Sequence, residues 1–433
     1  ISELIRWPRD SPHSASGPEA SLVTVNGMPG IFRIRSLIPS VYLPTFLFAV
    51  GQGAVLPILP LFARELGASV ALAGFLVALR GIGTMVFDIP AGVMVTRFGE
   101  RGAMLVATIV LALVAVGSAL APNAWVLAPL VFVMGCTWAV WMLARLSYAT
   151  EVSPLEQRGR VLSLIGGTNR IGNFVGPFLG AAAAILLGTE GAFYIQAILA
   201  VSAAAVMYLS TAETAGDPQV AHGDAAHTRI KAVLVEHSRV FATAGLATVA
   251  IQVLRSSRQA IIPLWGEHVG LDAAQVSVIF GLSSAIDMTV FYPVGIVMDR
   301  LGRKWAGVPC LLVMSIGMIS IPFSGGFGTL LAASLVTSFG NGLGSGINMT
   351  LGADFSPPVA RGEFLGVWRL IGDLGTAGGP LLVSAIAGTA TLGAAAFATG
   401  GIGLAGAAVM LFLVPEPLRR HRPLAVARPT RHP

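Results

Sequence analysis

Six arginines and three aspartates stand inside stretches otherwise built of apolar residues: Arg80, Arg145, Arg170, Arg255, Arg258 and Arg369, with Asp88, Asp287 and Asp373. Each costs at least ~2.5–3.5 kcal/mol near the centre of a membrane helix unless it is paired or faces water. Residue type sets the chemistry open to them. A buried carboxyl can take up or release a proton as a guanidinium withdraws or approaches. A guanidinium offers forked donors to a carboxylate or phosphate, or a flat face to an aromatic ring. Arg369 and Asp373, four apart, fit an in-helix pair. Arg255 and Arg258, three apart, lie about 60° from each other around a helix and share a face. No catalytic residues, cofactor or metal are expected.

A second charged set is gathered in turns. The run Gly295-Ile-Val-Met-Asp299-Arg300-Leu-Gly302-Arg303-Lys304 joins two long apolar stretches, and Gly92-Val-Met-Val-Thr96-Arg97-Phe-Gly99-Glu100-Arg101 is a degraded copy 203 residues earlier. The same step maps Pro60 to Pro263, Pro90 to Pro293, Glu151 to Asp354, Arg158 to Arg361, Gly172 to Gly375 and Pro177 to Pro380. A gapless repeat of this length means two like halves.

Only 11% of the 433 residues are charged while 55% are hydrophobic, with mean hydropathy +0.78; soluble domains carry roughly 25% charge. That places the chain among polytopic membrane proteins. Twelve apolar segments near the ~20 residues needed to cross a bilayer follow one another. They are 37–62, 70–95, 103–121, 124–149, 160–187 and 191–210, then 238–265, 273–298, 305–324, 327–352, 363–389 and 390–413. Of 27 basic residues, 20 fall in segments on one side or at the span ends that meet them (Arg160 and Arg239), one (Arg64) on the other side and six deep within spans. Such asymmetry predicts both termini in the cytoplasm and excludes a nucleic-acid reading of the net charge of +6. Cys136 and Cys310 read as small core residues.

The expected organisation is a cytoplasmic N-terminal segment 1–36 with its native start at Met28, a six-helix half 37–210, a cytoplasmic linker 211–237, a second half 238–413 and a basic tail 414–433. Residues 1–30 lack the apolar core of a signal peptide. His222, His227 and Arg229 in the linker read as solvated.

The doubled G-x-x-x-D-R-x-G-R-K turn resembles the signature loop of the major facilitator superfamily, over nearly 37–413. Gly172-x-x-x-Gly176-Pro177-x-x-Gly180 in span 5, echoed by Gly375, Gly379 and Pro380 in span 11, looks like the corresponding stretch of its drug/proton antiporters. Three positions depart from the pattern: Thr96 replaces the turn aspartate, Ser163 the first span 5 glycine, and Phe132 a span 4 arginine. The resemblance implies an all-α integral membrane fold, twelve helices in two pseudo-symmetric bundles. It also implies a latch in which Asp299 caps a helix of the other half while turn arginines meet Glu151 and Asp354. Arg158 and Arg361 follow those acids, and the Thr96 half should be weaker. Two coupled sign reversals, Glu100 to Arg303 and Arg160 to Glu363, suggest Glu100–Arg160 and Arg303–Glu363 pairs.

In that fold span 2 packs on span 11 and span 5 on span 8. Asp88 and Arg369 then lie about 12 Å from the turn side, and Arg170 and Asp287 about 18 Å. These depths predict Asp88–Arg369 and Arg170–Asp287 pairs, with Arg80 reaching Asp373. Arg145 would meet Glu151. Arg255 and Arg258 are left facing the cavity as substrate groups, with Arg80 and Gln52, the counterpart of Arg255.

The implied function is secondary active transport by alternating access, as proton-coupled efflux of a small amphipathic or drug-like compound across a bacterial inner membrane. Protons or a counter-anion, membrane lipid and a small-molecule substrate are the expected partners of a monomer. Organic-anion exchange through the buried arginines and the flipping of a lipid-linked molecule stand as alternatives. A sensor or scaffold is disfavoured because nothing in this sequence resembles an added signalling domain. No G-x-x-x-x-G-K-S loop occurs, which argues against an ATP-driven pump.

Overall fold

The computed structural model describes residues 37–210 and 233–416 apart from Val359, together with a two-residue antiparallel pair, Thr24–Val25 with Met28–Pro29. The linker histidines and the basic tail from residue 417 lie outside the described residues.

Span 1 comprises a π-helical turn Ile38–Tyr42, then Leu43–Val55 and, after a short break, Leu59–Glu65. Spans 2 and 3 share the 50-residue Val70–Ala119, spans 4, 5 and 6 are Ala124–Glu151, Leu155–Leu187 and Gly191–Ser210, and span 7 is Leu246–His268 after a lead-in Ser238–Gly245. Spans 8 and 9 are Ala273–Arg300 and Lys304–Ser320, span 10 is Phe327–Leu343 plus Ile347–Phe355, and spans 11 and 12 are Arg361–Thr389 and Leu392–Phe412. Eleven helices among the described residues are long and apolar enough to cross a membrane. The longest carries two crossings because Gly99 leaves helical space at φ 69°. Its repeat counterpart Gly302 has φ 115°. Only glycine enters that region without steric cost, so both signature turns bend at the same register.

Local signals start the helices. Ser69 accepts from the Leu72 amide at 3.1 Å, and its counterpart Asp272 forms a capping box with Gln275. Asn123 and Thr391 cap spans 4 and 12. Each cap satisfies amides that a helix start leaves open.

Spans 1–6 pack into one bundle and spans 7–12 into another; the bundles meet where span 2 lies on span 11 and span 5 on span 8. Inside each bundle the glycine motif sets the closest approach. A Cβ at Gly176 would stand 2.4 Å from the Val50 carbonyl oxygen, and one at Gly379, its counterpart, 2.6 Å from that of Val253. Span 5 thus seats on span 1 and span 11 on span 7 through the same register, at small residues that let backbones touch. Large apolar side chains such as Leu113, Ile185, Leu209 and Phe412 face outward.

Candidate functional site

A cavity of about 200 Å³ opens between the bundles. Gly53 and Leu56 of span 1 and Arg170, Asn173 and Pro177 of span 5 line it from the first half. Arg258 and Gln259 of span 7 and Phe280, Ser284, Asp287 and Met288 of span 8 line it from the second. Arg258 meets Asp287 Oδ2 at 3.4 Å and donates to Ser338 Oγ at 3.0 Å. The same carboxylate oxygen accepts from Asn341 Nδ2, while Asp287 Oδ1 is buried without a protein partner.

Arg170 takes another course. Its guanidinium stacks 4.2 Å from the ring centre of Phe291 and donates to Ser345 Oγ at 3.3 Å. No carboxylate lies within 4.0 Å of it among the described residues. The predicted Arg170–Asp287 pair is therefore not formed; Arg258, from the adjacent span of the same half, holds Asp287 instead. Arg258 faces the cavity as expected, but paired. Arg255 does not line it. Span 10 breaks after Leu343, and Arg255 donates to the carbonyls of Asn341 and Gly344 there, at 3.5 and 2.8 Å. Irregular backbone at membrane depth needs such donors.

The span 2–span 11 seam carries the expected Asp88–Arg369 contact at 2.8 Å. Arg369 also approaches Asp373, one turn along, at 3.7 Å, and the Asp88 and Asp373 carboxyls lie side by side. Two acids share one guanidinium. Arg80 does not reach Asp373. It donates to Gln52 and lies 5.8 Å from the Trp138 ring, inside the first bundle. Neither Arg80 nor Gln52 lines the cavity. Arg145, only 5% exposed, touches Met142 Sδ at 3.0 Å and not Glu151. Six residues along one helix set the two side chains about 120° apart, so Arg145 turns into the bundle while Glu151 is exposed.

The bundles close on the face away from the charged turns. Arg64 and Glu267 meet there at 3.0 Å, and Ser384 donates to the Ala71 carbonyl at 2.7 Å. On the turn face, Gly166 and Gly167 of span 5, Gly295 of span 8 and Gly362 and Gly366 of span 11 have open space beside them. The molecule is open towards its charged turns.

The description of one protein family, the Major Facilitator Superfamily, matches residues 41–258 and again 246–432. The chain belongs to that superfamily. An uncharacterized MFS-type transporter of Methanocaldococcus jannaschii, MJ1560, is 21% identical over 334 residues, 76% of this chain and 85% of that protein. The multidrug resistance protein MdtG of Salmonella arizonae is 27% identical over 165 residues, 37% of this chain and 41% of its own. Among solved structures, an inward-facing and occupied bacterial homolog of the human lysosomal transporter Spinster superposes with TM-score 0.73 at 14% identity, over 88% of this chain and 97% of that one. Membership makes this a multi-pass membrane transporter.

The superfamily turns are built unequally in its two halves. In the second, Arg303 is 12% exposed and donates to Asp354 at 2.7 Å, to the Met298 carbonyl at 2.7 Å and weakly to Asp299 at 3.5 Å. Burial pulls this guanidinium down, but Asp354, Asp299 and Glu416 outweigh it and hold it above its ordinary value. Glu416 accepts from the Arg303 and Lys304 amides at 2.8 and 3.0 Å and so caps span 9. Lys304 donates to the Leu411 carbonyl at 2.6 Å. Asp299 itself is 79% exposed and caps no helix of the opposite half among the described residues.

In the first half Arg101 reaches the carbonyls of Met207 and Tyr208, Arg97 lies beside the Phe98 ring, and Arg158 bonds the Thr150 carbonyl. Glu151 lies against Glu100 instead of an arginine. Both sign-reversal pairs are absent. Glu100 accepts from Ser147 at 3.0 Å rather than from Arg160, and Arg303 is taken up by Asp354 rather than Glu363. Sequence reasoning also passed over Asn341, Ser345, Phe291 and Glu416. The first three carry no charge, and the fourth stands just past the last span; only their repeat registers set them apart.

Proposed function

We propose that this protein moves a small organic solute by alternating access, with the charged turns in the cytoplasm and transport coupled to protons through the span 2–span 11 seam. The observation that carries the coupling is Asp88 and Asp373 sharing Arg369 across the two halves. One negative charge is left over at a contact that rocking must remake, and a proton would neutralise it. Asp287 is the weaker candidate because Arg258 and Asn341 both engage it. Similarity to MdtG supports export, and the basic residues on the turn side support the orientation.

The test is solute movement in proteoliposomes under an imposed pH gradient, using matched anionic, neutral and cationic aromatic compounds. The protein should drive at least one of them, and Asp88→Asn with Asp373→Asn should abolish gradient-driven movement while sparing binding. Full gradient-driven transport by the double variant would remove protons from this seam.

A further inference from the structure

We propose that the cavity between the halves is a binding site for a small organic carboxylate whose charged end is held by Arg170. This rests on the transport reading above, and names the substrate class that the same cavity takes.

Charge is the first observation. Arg170 and Arg258 line the cavity, and Arg255 stands behind it on the carbonyls of Asn341 and Gly344. Three guanidiniums share one carboxylate, Asp287, which Arg258 and Asn341 already hold. A net positive cluster taken out of water is costly until an anion joins it.

Availability is the second. Arg258 is committed to Asp287 and Ser338, and Arg255 to two backbone oxygens and the Gln252 side chain. Arg170 spends one nitrogen on Ser345, while the Phe291 ring covers one flat face of its guanidinium. That stacking fixes the plane of the fork and leaves its edge for a planar, bidentate acceptor. Asn173 sits one turn further along span 5, and Ser284 opposite on span 8, as polar lining within the same space.

Shape is the third. Leu56, Pro177, Phe280 and Met288 give the remainder of the wall an apolar character suited to a ring or short chain. A volume of about 200 Å³ admits a molecule with a single ring, not a lipid. Arg170 is moreover the repeat counterpart of Asp373, and Phe291 that of Asp88. The fold accepts an acid at this register, so the cation is not a requirement of helix packing.

The experiment uses the full-length protein in detergent at constant sodium chloride, with benzoate, benzamide and benzylamine as isosteric probes of charges minus one, zero and plus one. Binding is read by thermal shift and by calorimetry. Benzoate should bind about tenfold more tightly than either analogue, the gain of a charge-assisted fork over a neutral hydrogen bond. Arg170→Gln should erase that preference. Arg170→Lys, which keeps charge and loses the fork, should retain a part of it and serves if the glutamine variant does not fold. Equal binding of benzoate and benzamide, or a benzoate preference unchanged in both variants, overturns the proposal. Loss of the benzoate preference when chloride is raised to the point of displacing it equally from wild type and Arg170→Gln also overturns it, because the anion site would then lie elsewhere. Benzoate counterflow in proteoliposomes separates the two readings: binding without counterflow defeats transport and leaves the site, whereas transport without anion preference defeats the site alone.

Discussion

The two seams where the halves meet are related by the repeat and opposite in charge. On the span 2–span 11 seam, Asp88 and Asp373 face each other over Arg369. Step by 203 residues and the same two backbone positions on the span 5–span 8 seam hold Phe291 and Arg170, stacked at 4.2 Å. One register therefore carries an acid pair on one side of the axis and a cation over a ring on the other. Gene duplication supplies identical places, and divergence of the side chains gives each place its own charge. On the function proposed above, a proton suits the first seam and an anion the second. Under the proposed alternating access, rocking the halves would loosen or tighten both together, so a single motion would link the two ligands without any direct contact between them.

The largest test of this contrast is to delete the acid from each seam. Asp287→Ala removes the only carboxylate that pairs with Arg258 among the described residues, and the Arg258 side chain is mostly buried. It should cost about 3–5 kcal/mol, the penalty of an orphaned buried charge. Asp88→Ala leaves Arg369 its in-helix partner Asp373 and partial exposure to solvent, so its cost should stay under about 1 kcal/mol. Chemical denaturation in detergent measures both. Equal losses would mean the seams are alike in energy despite their sequences.

Most of the architecture and one of these contacts were legible beforehand, and the reason is geometric. The constant step of 203 survives because backbone packing at Gly176 and Gly379 tolerates no side chain in either half. Asp88–Arg369 followed from matching depths once the superfamily resemblance set span 2 against span 11, and the two spans do run against each other from Ala71 near Ser384 to Asp88 at Arg369. Depth matched Arg170 with Asp287 as well, yet the two line one cavity without meeting within 4.0 Å. It could not show that an acid on span 8 would serve an arginine on span 7 of the same half. Arg255 was misplaced because the break in span 10, which creates its carbonyl partners, has no strong signal in a stretch of glycines and serines. The paired sign reversals misled because arginine and glutamate are long enough to choose a nearer partner, Asp354 in one case and Ser147 in the other.

The turns extend the contrast beyond the seams. Asp354→Asn should cost about 1.5–3 kcal/mol, since it weakens a charged hydrogen bond to a guanidinium that is nearly buried. Glu151→Gln, its repeat counterpart, should fall within about 0.5 kcal/mol of zero or stabilise slightly, because Glu151 lies beside Glu100 and not an arginine. A loss at Glu151 as large as that at Asp354 would show that the first turn is latched after all.

The smallest effect is expected at a contact that lies on the symmetry axis itself. Arg64 and Glu267 are 203 residues apart and meet each other at 3.0 Å, so each is bonded to its own repeat counterpart. Identical residues there would have set like charges together; opposite signs turn the axis into a clasp on the face away from the turns. Both side chains are about one third exposed, and such pairs contribute about 0–1 kcal/mol. The clasp can shift the closing equilibrium by up to about fivefold, too little to hold the halves together and enough to bias them. Arg64→Glu should therefore raise the reactivity of a cysteine placed at Val70, on the cavity that Arg64 and Glu267 share, towards a membrane-impermeant maleimide. Adding Glu267→Arg should restore the original rate by reversing the pair. An Arg64→Glu protein that labels no faster than its parent would mean that apolar packing alone closes this face, with the charges as passengers.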